Sequence, residues 1–418
     1  MAAFPGGLAR ARELMQQHFG HARLRVHQIK VLAPLLAGRS VLGVLPTGAG
    51  KSLCYQLPAL MAEGMTLVIS PLIALMQDQV AALRRHRIRS AYLSSLLSPQ
   101  DRGTVLAAVA RGRVRVLYCA PERLATLVPA LRAAAARVAL LAVDEAHCIV
   151  EWGNEFRPLY RRLGEYRYRL GNPVTLAVTG SATPSARAEI VRVLRMPNAE
   201  VVVTSFDRPN LSFAVARVRD DRERFALIRE RVRGEPGHVV VYTPTRRLTE
   251  LVTRALLRVG VAAAPYHAGL TPDTRRHVLL AFLRDQVPVV VATSAFGMGI
   301  DKADVRRVIH WGPARTLEAY YQEAGRAGRD GRPAECLILW RPSDLDWTDC
   351  DVAMRRYLTG RGCRRRMLLA HFGEVAVPCA GCDRCGLDLT GGLARGARGE
   401  AIYRGRSHPF QGQDYGWP

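Results

Sequence analysis

A glycine-rich turn of a type that can hold a phosphate chain lies near the N-terminus, at residues 45–52 with the sequence LPTGAGKS. It follows an apolar run at 41–45 that predicts a buried strand, and the apolar stretch beyond it predicts a helix. Glycines let backbone N–H groups turn toward phosphate oxygens, and the helix N-terminus adds its dipole. The Lys51 ammonium can reach the outer phosphates, and the Ser52 hydroxyl can hold Mg²⁺. Loops of this kind place glycine where Leu45 stands, so a plain glycine turn is the alternative interpretation.

Lysine is rare in this chain, which makes its presence in the turn informative. Of 60 lysine and arginine residues, only Lys30, Lys51 and Lys302 are lysine. A compact ammonium fits inside a phosphate cradle, whereas a planar guanidinium fits poorly. The lysine in the turn therefore favours phosphate binding, although three lysines are few enough for chance placement.

A pair of carboxylates follows the apolar run at 138–143, which predicts another buried strand. Carboxylates at the end of a buried strand are costly unless they meet a cation. Asp144 is placed to hold Mg²⁺ through its water shell, and Glu145 to orient and deprotonate an attacking water. A helix-start cap is the alternative for Asp144 alone.

Two polar residues upstream of the turn could bind the base of a nucleotide. The amide of Gln28 can read the adenine edge as both donor and acceptor, and Arg25 can stack on the base. Taken alone, Gln28 is better explained as a surface residue, and only its position beside the glycine-rich turn makes the two interpretations equal.

The composition is that of a folded, basic protein. The 418 residues are 49% hydrophobic and 23% charged, which predicts two or three domains with sizeable cores. The formal net charge of +24 predicts a polyanionic partner, with nucleic acid first, and a general arginine bias is the alternative. No apolar run reaches the ~18 residues of a membrane span, and residues 1–20 lack a secretory pattern. The nine cysteines are therefore expected as thiols or metal ligands.

Apolar runs separated by helical segments predict two successive buried parallel sheets. The predicted strands of the first are 41–45, 66–70, 114–119, 138–143, 174–178 and 201–204, and those of the second are 239–242, 262–266, 289–292, 305–310 and 336–340. Residues 8–40 and 71–85 predict helices, and residues 205–210 predict a linker. Ligands of such sheets bind at the C-terminal ends of the strands, where the glycine-rich turn lies.

Aromatic and basic side chains follow the carboxylates. Trp152, Phe156 and Arg157 fall in one predicted loop, and such residues suit stacking on single-stranded bases. The alternative is that the two aromatics close the core. Ser181 and Thr183 follow the strand at 174–178, where hydroxyls could link a nucleotide site to a nucleic-acid site.

Two arginines in the second series have a spacing that suits one helical face or one turn. Supplied to a nucleotide held by the first series, Arg326 and Arg329 would neutralise transition-state charge. A solvated Gly/Arg turn is the alternative.

Four cysteines near the C-terminus have metal-ligand spacing. Cys363, Cys379, Cys382 and Cys385 form C-x15-C-x2-C-x2-C, which suits a closed tetrahedral Zn²⁺ site, with incidental thiols as the alternative. Residues 341–362 predict charged helices. Small and basic residues alternate at 390–418 with little to pack, which predicts a flexible basic tail.

Together, these motifs resemble those of RecQ-family DNA helicases, a branch of superfamily two, over roughly residues 12–387. The matching segments are 19–28, 46–52, 120–124, 144–158, 205–211, 295–300 and 320–331, with the four cysteines. The resemblance implies an ATP-driven motor that moves 3′ to 5′ on single-stranded DNA, in repair and recombination. It implies an α/β fold of two tandem RecA-like parallel-sheet domains, a small helical zinc-binding subdomain and a flexible basic tail. The expected boundaries are 8–205, 206–342, 343–389 and 390–418.

The resemblance also implies roles for the candidate residues, with ATP, Mg²⁺ and Zn²⁺ as cofactors. The expected nucleotide-binding residues are Arg25, Gln28, Thr47, Gly48, Gly50, Lys51 and Ser52, with Ser52 and Asp144 on Mg²⁺. The expected catalytic residues are Lys51, Asp144, Glu145, Arg326 and Arg329. The expected DNA-binding or coupling residues are His147, Trp152, Phe156, Arg157, Ser181 and Thr183, and the zinc ligands are the four cysteines.

The sequence departs from the family pattern in two places. An aromatic residue often stands at the position of His21, as one wall of the adenine pocket. Family members usually continue past the zinc site into a winged helix, and often into a further helical domain that binds nucleic acid. Residues 386–418 show neither pattern, so translocation is better supported than efficient strand separation.

The expected partners are single-stranded and tailed duplex DNA, with a single-strand-binding protein as a candidate and no membrane. The expected state is a monomer in the cytoplasm, associated with the nucleoid. Three alternatives stay open: an RNA-directed helicase, a DNA-stimulated ATPase that anneals or remodels strands, and a non-catalytic binding module.

Overall fold

The computed structural model describes residues 4–46, 48–151, 158–234, 237–297, 300, 302–347, 349–375, 378–379, 381–386, 393–395 and 401–403. The chain divides into two compact units, Met1–Phe206 and Asp207–Pro418. Within the described ranges, no helix has the length and the apolar character that crossing a bilayer requires.

A seven-stranded parallel sheet forms the centre of the first unit. Its strands are β1 Val41–Val44, β2 Met65–Ile69, β3 Ser90–Leu93, β4 Val116–Cys119, β5 Val138–Val143, β6 Val174–Thr179 and β7 Glu200–Val203. Their order across the sheet is β3-β4-β2-β5-β6-β1-β7. Strands β1, β2 and β4 are buried along their whole length, which is why continuous apolar runs predict them. Strand β3 is missing from the sequence prediction, because its four residues, SAYL, are too few and too mixed to form such a run.

Nine α-helices and two short 3₁₀ helices, Pro121–Arg123 and Pro158–Arg162, complete the described part of the first unit. The α-helices are α1 Gly7–Phe19, α2 Val26–Leu36, α3 Leu53–Met61, α4 Ile73–Arg85, α5 Pro99–Ala110, α6 Leu124–Ala133, α7 Cys148–Glu151, α8 Leu163–Arg169 and α9 Pro184–Val193. One buried apolar cluster contains Leu14 of α1, Leu32 of α2, Leu57 of α3 and Val178 of β6. This cluster fixes both elements that flank the glycine-rich turn, β1 before it and α3 after it.

The second unit is built on an eight-stranded sheet. Its strands are β8 Leu211–Arg217, β9 His238–Tyr242, β10 Ala263–Tyr266, β11 Val289–Ala292, β12 Val305–His310, β13 Ala334–Trp340, β14 Leu393–Arg395 and β15 Ala401–Tyr403. Their order is β10-β11-β9-β12-β13-β8-β15-β14, and β8 to β13 pair in parallel. Strand β8 is missing from the sequence prediction, which begins the second series after it.

The helices of the second unit include the charged helices predicted at 341–362. The described helices of the second unit are α10 Asp221–Gly234, α11 Arg246–Arg258, α12 Pro272–Leu283, α13 Leu317–Ala324, α14 Asp344–Trp347, α15 Val352–Thr359 and α16 Arg364–His371. Of these, α14 and α15 lie within the predicted range. The prediction of two tandem parallel-sheet domains followed by a small helical part is confirmed.

The cysteine-rich segment is attached to β8 through Phe213. The backbone N–H of Asp383 donates to the Phe213 carbonyl at 3.0 Å, and Phe213 forms a parallel bridge with Cys382. The Arg364 guanidinium of α16 binds both carboxylate oxygens of Asp383, and both side chains are buried. Farther along the chain, β14 and β15 form an antiparallel hairpin whose second strand pairs with β8.

Candidate active site

The glycine-rich turn runs from β1 to the start of α3. Gly48 and Gly50 have backbone φ angles of +82° and +75°, which residues with a Cβ rarely adopt. A Cβ on Gly50 would lie 2.6 Å from Nε2 of Gln28, so glycine is also required for close packing. Thr47, which is predicted to bind the nucleotide, lies outside the described residues.

Three side chains at the start of α2 hold consecutive carbonyls of this turn. Arg25 Nη1 donates to the Gly48 oxygen at 2.7 Å, and Gln28 Nε2 donates to the Gly50 oxygen at 3.3 Å. The ring Nε2 of His27 lies 2.8 Å from the Ala49 oxygen. With these carbonyls turned toward α2, the backbone N–H groups of Gly50, Lys51 and Ser52 make no hydrogen bond to any described residue. Such a row of unpaired N–H groups forms a concave anion-binding surface.

Gln28 is buried and is not a surface residue. Its side chain is 2% exposed, and its amide oxygen accepts from the Arg25 N–H at 2.9 Å. Reading adenine with the same amide stays a prediction, and it requires Gln28 to exchange or share these bonds. His21 is exposed.

The two carboxylates follow β5 directly, as predicted, and Lys51 lies beside them. Asp144 is 5% exposed; Tyr55 donates to its Oδ2 at 3.2 Å, and the Glu145 N–H donates to its Oδ1 at 3.0 Å. Lys51 Nζ lies 3.8 Å from Oε1 of Glu145. Glu145 has a φ of +48°, a strained conformation for a residue with a Cβ, and such strain is concentrated at functional sites.

The pKa of Asp144 is raised from its ordinary 3.8 to about 6. Burial of the carboxylate is the main cause, and the negative charge of Glu145 adds to it, while Lys51 acts in the opposite direction. The nucleotide-free protein therefore holds a charge that its surroundings disfavour, and a bound cation would relieve this cost.

We expect Asp144→Asn to stabilise the protein without nucleotide or Mg²⁺ at pH 8. Because the pKa of Asp144 is higher in the folded state than in the unfolded state, its protonation stabilises the fold. This stabilisation is fully present below pH 3.8 and is lost as the pH rises through about 6. At pH 8, a pKa shift of this size corresponds to a destabilisation of about 3 kcal/mol. The neutral asparagine removes this cost. Thermal unfolding from pH 4 to pH 8 measures the gap between variant and wild type, with the exposed Asp349→Asn as control. A gap that does not shrink toward low pH would contradict the assignment.

The residues predicted to couple DNA to hydrolysis are partly described. His147 is buried, with Nδ1 at 2.9 Å from the Thr179 hydroxyl and 3.4 Å from Oε2 of Glu145. Ser181 is bound to the same hydroxyl, because Thr179 Oγ1 donates to the Ser181 carbonyl at 3.1 Å. A continuous polar path therefore runs from Glu145 through His147 and Thr179 to Ser181.

Thr183, a further predicted coupling residue, makes a different contact. The Thr183 hydroxyl caps α9 by accepting the Ala186 N–H at 3.2 Å. Trp152, Phe156 and Arg157 lie outside the described residues.

The two arginines of the second unit project from the turns after α13, rather than from the helix itself. Arg326 is 8% exposed, and its Nε has no hydrogen-bond partner in the described part of the chain. Arg329 Nη1 donates to the Ile300 oxygen at 2.8 Å.

Four residues with positioning roles are missing from the sequence prediction. Arg208 Nη2 donates to the carbonyls of Ala327 and Gly328 at 3.0 and 2.8 Å, and Asn210 Nδ2 donates to the Gly328 oxygen at 2.8 Å. Arg208 and Asn210 thereby fix the turn that carries Arg326 and Arg329. The other two positioning residues are His27, which contacts the glycine-rich turn, and Tyr55, which donates to Asp144. Arg208 and Asn210 fall in the predicted linker, and nothing local in the sequence indicates these distant contacts.

The four predicted zinc ligands lie together. The four sulfur atoms are all within 4.8 Å of one another, and the Cys363 and Cys382 sulfurs are 3.8 Å apart. A tetrahedral Zn²⁺ with Zn–S bonds of about 2.3 Å requires sulfur separations of about 3.8 Å. The donor set and its spacing therefore fit Zn²⁺.

A second cluster of possible ligands does not fit a metal. His238, Asp285 and Asp304 also approach within 4.8 Å of one another. Lys302 makes ion pairs with both carboxylates, at 3.1 Å for Asp304. The lysine ammonium occupies the position in which a cation would neutralise them.

We expect Cys382→Ser to remove most of the bound zinc and to lower the unfolding temperature of the second unit. Three remaining thiolates hold Zn²⁺ more weakly than four, and Cys382 also joins the cysteine segment to β8. Metal analysis and thermal unfolding measure both effects. Cys350→Ala is the matched control, because Cys350 is equally buried and lies outside the cluster. Full zinc content in Cys382→Ser would contradict the four-cysteine site.

Three protein-family models match successive parts of the chain. The DEAD/DEAH box helicase model matches residues 25–191, the helicase conserved C-terminal domain matches 223–331, and the RecQ zinc-binding model matches 352–386. Together with the two parallel sheets and the glycine-rich turn, these matches indicate the class: a chain built like a two-domain helicase.

The curated relatives narrow this class. The chain is 38% identical over 393 residues to ATP-dependent DNA helicase RecQ of Pasteurella multocida, covering 90% of this chain and 62% of that protein. It is 38% identical over 349 residues to the probable ATP-dependent DNA helicase RecS of Bacillus subtilis, covering 83% of this chain and 70% of that protein. The chain belongs to the RecQ family. It spans about three fifths of the length of the RecQ relatives from Pasteurella and Haemophilus.

Solved structures agree with this fold at low sequence identity. Mss116p bound to single-stranded RNA and AMP-PNP gives a TM-score of 0.69 at 15% identity, over 91% of this chain and 77% of that one. The helicase MrfA bound to DNA gives 0.67 at 20% identity, over 88% of this chain and 54% of that one. At these identities the likeness establishes the fold alone.

Proposed function

We propose that this chain is an ATP-dependent DNA helicase that translocates 3′ to 5′ on single-stranded DNA in repair and recombination. The observation that carries the proposal is the arrangement of Lys51, Asp144 and Glu145 around one phosphate-binding turn, in a chain of the RecQ family. The chain spans only part of its relatives' length. Helicase activity of this chain is therefore a proposal, and it is based on the residues of the chain's own site.

In the proposed mechanism, the first unit holds the triphosphate. The N–H groups of Gly50, Lys51 and Ser52 and the Lys51 ammonium bind its oxygens. Mg²⁺, held by the Ser52 hydroxyl and Asp144, would supply further positive charge. Glu145 orients the attacking water and accepts its proton. His147, at 3.4 Å from Glu145, positions this carboxylate and connects it to the path toward Ser181.

The second unit is proposed to supply Arg326 and Arg329 to the same triphosphate. What supports this is the fixed turn that carries both guanidiniums, within the segment that the helicase conserved C-terminal domain model matches. The guanidiniums neutralise the charge that develops on the transferred phosphoryl group. Arg329 is our choice for the direct contact, because Arg326 is the more deeply buried of the two.

The remaining assignments are proposals of the same kind. Arg25, Gln28, Thr47 and Gly48 complete the nucleotide site; Trp152, Phe156, Arg157, Ser181 and Thr183 contact DNA or couple it to hydrolysis. The proposed domain limits are 8–205, 206–342, 343–389 and 390–418. We also propose a monomer that acts at the nucleoid on single-stranded and tailed duplex DNA, with a single-strand-binding protein as a partner. The net charge of +24 supports a polyanionic substrate.

Two assays of the chain as it stands test this function. ATP hydrolysis is measured with single-stranded DNA and with RNA of equal length, and we expect stimulation by DNA. Unwinding is measured on duplexes with a 3′ or a 5′ tail, and we expect activity on the 3′-tailed one alone. Lys51→Ala is the control that must abolish both. Stronger stimulation by RNA would contradict the substrate, and hydrolysis that survives Lys51→Ala would contradict the site.

A further inference from the structure

A second concave site lies in the first unit, at the edge of the sheet opposite the phosphate loop. It is a cavity of about 440 Å³ lined by Gly64, Met65, Arg89, Val109, Ala110, Gly112, Val114, Arg115, Ala134, Ala135, Ala136 and Arg137. Three of these residues are arginines and none is acidic. The others are small or apolar, which leaves room between the guanidiniums.

The strand order explains why the arginines meet. Arg89, Arg115 and Arg137 each come directly before a strand, namely β3, β4 and β5. Because the sheet is parallel, the N-terminal ends of these strands lie at one edge, whereas the phosphate loop and the carboxylates follow the C-terminal ends. Strands β3 and β5 are three positions apart in the order β3-β4-β2-β5, a span of about 14 Å at ~4.8 Å per strand.

The three guanidiniums differ in how they are held. Arg115 Nη1 is fixed by the carbonyls of Ala62 and Gly64, at 2.7 and 3.3 Å. Arg137 lies 4.0 Å from Glu63, and both of these side chains are more than two thirds exposed, so the pair is weak. The exposed Arg89 side chain makes no hydrogen bond or ion pair within the described ranges. The site therefore keeps most of its positive charge.

The rim adds further positive charge. The exposed arginines around it are Arg84, Arg85, Arg87, Arg111, Arg113 and Arg132. Some of these have a simple explanation, since α4, α5 and α6 end here and cations stabilise helix C-termini. That explanation does not cover the three lining arginines, which precede strands. Three helix ends contribute about half a negative charge each, roughly 1.5 in total, which is less than the charge of the three arginines.

We propose that this cavity and its rim bind backbone phosphates of DNA, as a second nucleic-acid contact remote from the nucleotide site. Guanidiniums match phosphate oxygens in pairs, and the edge is long enough to meet successive phosphates of one strand, which repeat every ~3.4 Å along a duplex. The choice of DNA as the polyanion rests on the proposed function. An acidic peptide would need an apolar anchor as well, and the larger apolar residues of the lining, Met65, Val109 and Val114, are buried and offer little for one.

The test measures how DNA affinity depends on salt. The variant is Arg89→Ala with Arg137→Ala in the full chain, and the control is Arg10→Ala with Arg12→Ala, two exposed arginines of α1. Each phosphate contact contributes about 0.9 to the slope of log K against log [salt]. We expect the variant to lower that slope for a 3′-tailed duplex by about 1.8 and to weaken binding at least tenfold, with little change in the control. Arg89→Lys with Arg137→Lys is expected to restore the slope.

Two further measurements separate the outcomes. ATP hydrolysis saturated with a short single-stranded oligonucleotide is expected to be unchanged in the variant, so failure of the motor and failure of this site are distinguishable. A slope equal to that of the control overturns the proposal. Loss of binding to a polyglutamate peptide without a change in the DNA slope also overturns it, and assigns the site to an acidic protein.

Discussion

Replacing Arg329 with alanine is expected to lower kcat for ATP hydrolysis by about three orders of magnitude or more. An arginine that meets the transferred phosphoryl group stabilises charge that develops in the transition state, and its removal has effects of about 10³ to 10⁵ in related chemistry. Substrate binding uses other groups, so the KM for ATP and the affinity for DNA should change far less. Steady-state hydrolysis with saturating single-stranded DNA measures the effect.

Arg332→Ala is the matched control for this experiment. Arg332 lies three residues farther along the same segment, and its side chain is exposed. Arg329→Lys adds a second comparison, because it keeps the charge and loses the planar fork. We expect lysine to recover only a small part of the rate. An Arg329→Ala variant with a near-normal kcat would exclude a direct role, and Arg326 would become the candidate.

Glu145→Gln is expected to leave ATP binding intact and to reduce turnover by about 10²- to 10⁴-fold. The amide keeps the shape of the side chain but cannot accept the proton of the attacking water. A reduction of this size is the usual contribution of a general base. Its Oε1 can still accept from the Lys51 ammonium, so the turn should keep its structure. Binding of a fluorescent ATP analogue and single-turnover hydrolysis separate the two properties.

The exposed Glu122→Gln serves as the control for a lost carboxylate elsewhere in the first unit. It should hydrolyse ATP at the wild-type rate. If Glu145→Gln retained turnover, the base would have to be another group. If it lost binding as well, Glu145 would act chiefly by keeping Lys51 in place.

The fold was largely predictable because most strands are continuous apolar runs. Valine-rich β9 and β11 stand out by composition alone. Strands β3 and β8 do not, because SAYL is short and Ser212 interrupts the apolar run of LSFAVAR after its first residue; pairing with neighbours stabilises both. The predicted linker shows the same limit, because Arg208 and Asn210 make long-range hydrogen bonds that no local pattern records.

The candidate site was predictable where a motif carries its own chemistry. Lys51, Asp144, Glu145 and the four cysteines have residue types and spacings that few structures other than phosphate and zinc sites require. His27 and Tyr55 were not predictable, because a single imidazole or phenol in a helix is commonplace until the fold brings it to the glycine turn or to Asp144. The basic cavity required the strand order, since Arg89, Arg115 and Arg137 are distant in sequence.

The most direct test is a structure of the chain bound to a non-hydrolysable ATP analogue, Mg²⁺ and a single-stranded oligonucleotide. We predict that the Lys51 ammonium and the Arg329 guanidinium both lie within hydrogen-bond distance of the same terminal phosphate. A complex in which Lys51 holds the nucleotide while Arg326 and Arg329 both point away from it would contradict a motor built from the two units.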